Sequence, residues 1–185
     1  MADELTQEIV EECVGNAHGN LARVRELVDK YPAVVNASAG WNETPVQAAA
    51  QMGNRPIIEF LVERGAPVDF FTACALGRLD QVKDELAADP GLATARGVHD
   101  LPPLYFAAIG GSAEVAELLL AAGAGVNQQS EAAAPIHGAV MGGSSEVVRW
   151  LLDHGADPAL LDYKGRGARQ LALDLQRPDL AAIFD

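Results

Sequence analysis

The chain has 185 residues, with 13 Lys and Arg against 26 Asp and Glu and a formal net charge of −13. A phosphate backbone or an anionic membrane needs a basic face, and this balance leaves none, so neither nucleic acid nor membrane is expected as a partner. Apolar residues reach 49% but aromatic residues only 5%, which suits close-packed, alanine-rich helices and argues against a large aromatic core.

Taken in order, the chain falls into similar segments. The first, about residues 3–35, sets Asp3, Glu4, Gln7, Glu8, Glu11 and Glu12 on one side of a predicted helix, with Leu5, Ile9, Cys13 and Asn16 near the other. This acidic start lacks the apolar run of a secretion signal, and no later window reaches the ~20 apolar residues of a membrane span, so a cytoplasmic protein is expected. A second helix is predicted over Leu21–Lys30, with Val24, Leu27 and Val28 as its stripe. The second segment, about 36–68, has a turn at Ala39-Gly40-Trp41-Asn42-Glu43 and then Thr44-Pro45, where a helix begins. Proline suits a first helical turn because its φ is already set and its missing N–H is no loss there.

The third segment, about 69–94, is short. Ala66-Pro67-Val68-Asp69 runs straight into a helix that Asp69 can cap, and Leu79–Ala88 forms the next. The fourth, about 95–127, has a turn at 96–101 and then Pro103-Leu104-Tyr105-Phe106. The fifth, about 128–159, repeats the plan: Pro135-Ile136-His137 opens a helix, Gly142 and Gly143 end it, and Ser144 or Ser145 caps the next, with Val148, Leu151 and Leu152 as its stripe. The sixth, about 160–185, has a turn at 162–167 and helices over 168–175 and 178–184. The glycine between the paired helices falls at Gly19, Gly53, Gly77, Gly111 and Gly143, then at Gln176, in steps of 34, 24, 34, 32 and 33. One helix pair cannot bury its own stripe, so stacking on like neighbours is predicted.

Thr44-Pro45-Val46-Gln47 and Pro135-Ile136-His137, with Gly-Ala-Gly-Val-Asn at 123–127 and Gly-Ala-Asp-Pro at 155–158, resemble the ankyrin repeat. The resemblance implies an all-α solenoid of stacked helix–turn–helix units over 1–185, with a short β-hairpin finger before each pair. It gives the third unit no room for a finger, so a gap is expected between the second and fourth. It makes His137 a backbone-bonding structural residue, with Tyr105 in the same place one unit earlier. Asp100 departs from the family's turn glycine, so that finger should be irregular.

No nucleotide loop, nucleophile elbow or metal spacing occurs, and the scattered histidines and Cys13 and Cys74 point to no metal, cofactor or disulfide. By the resemblance, finger tips and the ends of the first helices line a concave groove. Trp41, Glu43, Gln51, Met52, Leu76, His99, Leu101, Tyr105, Ile109 and Met141 are therefore the candidate binding residues. That surface is unusually apolar, as expected of a hot spot or ligand pocket at the finger gap. The expected function is non-catalytic binding of a protein segment. The alternative is a lipophilic small molecule, bound or turned over by acid–base chemistry at His99, Glu43 and Glu131.

Overall fold

The computed structural model describes residues 4–185; Asp3, placed above on the acidic side of the first helix, lies outside the described residues. Among the described residues the chain forms twelve α-helices and no strand. They are α1 (Gln7–Ala17), α2 (Leu21–Lys30), α3 (Pro45–Gln51), α4 (Arg55–Glu63), α5 (Phe70–Leu76), α6 (Leu79–Ala88), α7 (Pro103–Ile109), α8 (Ala113–Ala121), α9 (Pro135–Gly142), α10 (Ser145–Asp153), α11 (Ala168–Asp174) and α12 (Pro178–Ala181). The odd-numbered helices stack on one another in one row and the even-numbered ones back them in a second.

Local chemistry fixes where each helix starts. Proline stands in the first turn of α3, α7, α9 and α12. Asn20, Asn54, Ser112 and Ser144 cap α2, α4, α8 and α10, each side-chain oxygen accepting the N–H three residues on at 3.2–3.4 Å. Asp69 caps α5 through the Thr72 N–H at 2.8 Å. The buried face of α1 is Val10, Cys13, Val14 and Ala17, turned from the expected line through Leu5, Ile9 and Asn16. Cys13 and Cys74 are buried and unpaired, and burial pushes the Cys13 thiol up to about 11.

The fingers are turns rather than ladders of strands. The bonds across their bases are Ala39 N–H to Glu43 O and Gly97 N–H to Leu101 O at 2.9 Å, then Ser130 N–H to Ala133 O and Asp162 N–H to Arg166 O at 3.0 Å. So short a hairpin carries too few cross-strand bonds to make a sheet. The fourth-unit finger is irregular, with His99 at φ 53° and Asp100 at φ 59°. Between α4 and α5 the chain turns back over residues 64–69 without a finger.

That shortcut changes the packing. Gly53, at the end of α3, is seated on the Ile109 side chain and carbonyl, each 2.9 Å from where a Cβ would lie. Gly142 leaves no space for a Cβ against the Ile109 carbonyl from the other side, and Gly110 none against Ala75. Ile109 is therefore 3% exposed, clamped between units. Leu76 is 7% exposed, and the Arg55 guanidinium donates to Leu76 O at 2.9 Å.

Candidate functional site

The concave face holds a cleft of about 1090 Å³. Met52, Leu101, Tyr105, Met141, Leu171 and Leu175 give it apolar wall, contributed by α3, the fourth-unit finger, α7, α9 and α11 with its C-cap. His18, Gln51, His99, Asp100 and Glu131 bring polar groups at one part of the rim. Asp162, Tyr163, Lys164 and Arg166 bring them from the last finger.

A polar network is built at the α3 end. Glu43 is 2% exposed. Its Oε2 accepts the Trp41 indole N–H at 2.7 Å and its Oε1 accepts the Gln51 amide at 2.8 Å. His99, from the finger two units on, brings Nε2 to 3.8 Å from Glu43 Oε1. Only the missing third finger lets those two fingers meet. The Tyr105 hydroxyl makes the same jump, donating to Gln51 O at 3.1 Å and lying 3.6 Å from Met141 Sδ. Burial, and then the Tyr163 phenol, hold that hydroxyl well above its ordinary range, so it stays a neutral donor.

A second network lies at the other side. His137 is fully buried; its Nδ1 accepts the Ala134 N–H at 3.0 Å and its Nε2 donates to Arg166 O at 3.2 Å. This is the backbone role expected of it. Burial lowers its proton affinity, although Asp162 and its backbone partners oppose the shift. Burial pushes the Asp162 carboxyl up, yet hydrogen bonds from the Arg166 side chain and backbone and from Lys164 N–H outweigh it and hold the group below its ordinary value. Arg166 also reaches Asp174 at 3.1 Å.

The residues expected to form the site divide. Trp41, Glu43, Gln51, His99 and Tyr105 come together; Gln51, Met52, His99, Leu101, Tyr105 and Met141 line the cleft, whereas Trp41 and Glu43 do not. Leu76 and Ile109 line neither this cleft nor the gap and belong to the core, because the shortened unit packs α7 directly on α5 and under Gly53. A smaller pocket of about 280 Å³ lies at the finger gap, lined by Asn42, Gln47, Asp69, Thr72 and Arg96 together with Phe71, Val98 and Phe106, a mixed polar and apolar wall. Asp162, Tyr163 and Leu171 were not expected in the site; the spacing of Asp162 and Arg166 across a glycine turn was the available signal. Glu131 lines the cleft but is exposed and makes no ion pair with His99.

A family model described as ankyrin repeats, in three copies, matches residues 70–162, and one for a single ankyrin repeat matches 41–83. The chain belongs to the ankyrin repeat family. Among curated proteins this ankyrin repeat chain is similar to BTB/POZ domain-containing protein 3 of Schizosaccharomyces pombe, 34% identical over 61 residues. The match covers 33% of this chain and 12% of that protein, so the likeness concerns repeats and not the whole relative. Ankyrin repeats generally serve protein–protein binding. Among the described residues no helix of this one is long and apolar enough to cross a membrane.

Proposed function

We propose that this ankyrin repeat protein is a non-catalytic binding module that holds a segment of a partner protein in its concave cleft. The observation behind the reading is the continuity of the cleft, about 1090 Å³ with apolar wall supplied in turn by α3, α7, α9 and α11. That volume lies just above the range of small-molecule sites, about 300–1,000 Å³, and suits several side chains of an extended segment. A photo-crosslinking side chain at Met141 will attach the partner, and calorimetry with the identified segment then tests the site. Met141→Arg should weaken binding at least about tenfold, the loss expected of a central apolar contact. Glu146→Ala, on the first turn of α10 and off the cleft, should not. Unchanged affinity in Met141→Arg would place the binding surface elsewhere.

A second reading is favoured by one contact, the 3.8 Å approach of His99 to buried Glu43. A carboxylate behind a half-exposed imidazole is an arrangement for proton transfer to a lipophilic small molecule in the same cleft. Native mass spectrometry separates the two readings. A co-purifying small molecule lost in His99→Ala supports the second; a bare chain that binds the crosslinked segment supports the first.

A further inference from the structure

The polar end of the cleft specifies the chemistry of the segment, given the partner-segment reading. Gln51 is 7% exposed and lines the cleft. Its amide nitrogen contacts Glu43 Oε1 and His18 Nε2, both at 2.8 Å. His18 Nδ1 faces Gly15 O at 3.1 Å, which puts the ring proton there and leaves Nε2 as an acceptor. Both amide N–H groups are therefore engaged, and the carboxylate decides which way the amide is turned. Gln51 Oε1 then has no hydrogen-bond partner among the described residues. That oxygen is not sealed off like Thr72 Oγ1 or Gln128 Oε1, so solvent reaches it and a donor group of a bound segment can take the place of water there.

Behind it stands a charge of the matching sign. The hydrogen bonds to Glu43 come from neutral donors, Trp41 and Gln51, and the basic group beside it is half-exposed His99. No Lys or Arg pairs with it among the described residues. A carboxylate buried this way projects negative potential along the low-dielectric wall of the cleft. Asp100 and Glu131 add to it at the rim. Arg96 sits 3.7 Å from Asp100 and directs Nη1 to the carbonyls of Asp100 and Gln129.

We propose that this end of the cleft is a subsite for a Lys or Arg side chain of the bound segment. The cationic head donates to Gln51 Oε1 in the field of Glu43, and the aliphatic stem lies along Met52, Leu101 and Tyr105. The net charge of −13 brings a basic segment to this surface in the first place.

Selection of a random short-peptide library on the full chain, followed by fluorescence anisotropy, tests the subsite. Enriched peptides should share a Lys or Arg. Replacing it with norleucine or citrulline should weaken binding roughly tenfold to a hundredfold, the effect of removing a charge-assisted bond in a desolvated site. Glu43→Gln should do the same, with its fold checked by circular dichroism; the peptide substitutions leave the protein untouched and do not depend on that variant folding. Peptides that lose binding in Met141→Arg but keep it without their basic residue overturn the subsite and leave the cleft reading standing. No enrichment, or enriched peptides indifferent to Met141→Arg, overturns both.

Discussion

At the scale of single residues, two of the three histidines that line the cleft have opposite situations. His99 is exposed on a strained turn, at φ 53°, and faces a carboxylate. His137 is fully buried and holds two backbone groups in place. Burial lowers the His137 pKa from its ordinary 6.5. As pH falls below that value, the unfolded chain takes up a proton that the folded chain refuses, so stability declines through the window between the two. The lowered Asp162 acts in the same sense further down. The stability it contributes is present above its ordinary 3.8 and is lost as pH falls through its folded value. His137→Gln separates the two windows. Gln47 already occupies the equivalent place in α3, where its Oε1 accepts the Thr44 N–H at 3.0 Å, so the substitution keeps a backbone acceptor. Thermal melts of this variant should lose less stability between pH 7 and 5 than the wild type, while the loss below pH 4 remains. An identical decline in both proteins above pH 5 would mean that His137 does not carry the first window.

At the scale of elements, the repeat was legible because its punctuation is chemical. Pro135 and Pro103 open helices, Asn or Ser caps α2, α4, α8 and α10, and a positive-φ glycine follows α3, α5, α7 and α9. The last unit breaks the rule. Gln176 adopts φ 57° where earlier units have Gly53, Gly77, Gly111 and Gly143. A side chain in the left-handed region costs roughly 1–2 kcal/mol, partly offset by the lower entropy of a non-glycine in the unfolded chain. Gln176→Gly should therefore raise stability by up to about 1 kcal/mol, read as a higher urea midpoint with the slope unchanged. A lower midpoint would show that the Gln176 side chain contributes contacts that outweigh its strain. Spacing was less informative about depth. Met52 and Leu76 hold corresponding places before their glycines, yet one is 38% exposed and the other 7%. At Leu76 the Arg55 guanidinium donates to the backbone carbonyl at 2.9 Å, a contact between units that no single repeat contains.

At the scale of the whole molecule, the order of the stack followed from phasing, while the make-up of the site did not. Trp41, Glu43 and Gln51 belong to one unit, but His99 comes from the fourth and reaches Glu43 because the unit in between is short. An isolated reading of Glu43 gives an exposed finger-tip acid; the tertiary structure makes it a buried carboxylate. The same shortcut has a consequence for cooperativity. A regular repeat stack behaves as a one-dimensional chain in which each unit is coupled only to its neighbours, and opens piecewise from its ends. Here Tyr105 and Ile109 of the fourth unit are bonded to and packed on Gln51 and Gly53 of the second. The third unit is enclosed by a coupling that skips it. In native-state hydrogen exchange, amides from α3 through α7 should share one opening free energy, well above that of α11 and α12. Tyr105→Phe, which removes the skipping bond, should let α5 and α6 open separately. If α5 and α6 already exchange ahead of α3 and α7 in the wild type, the second and fourth units are not thermodynamically joined.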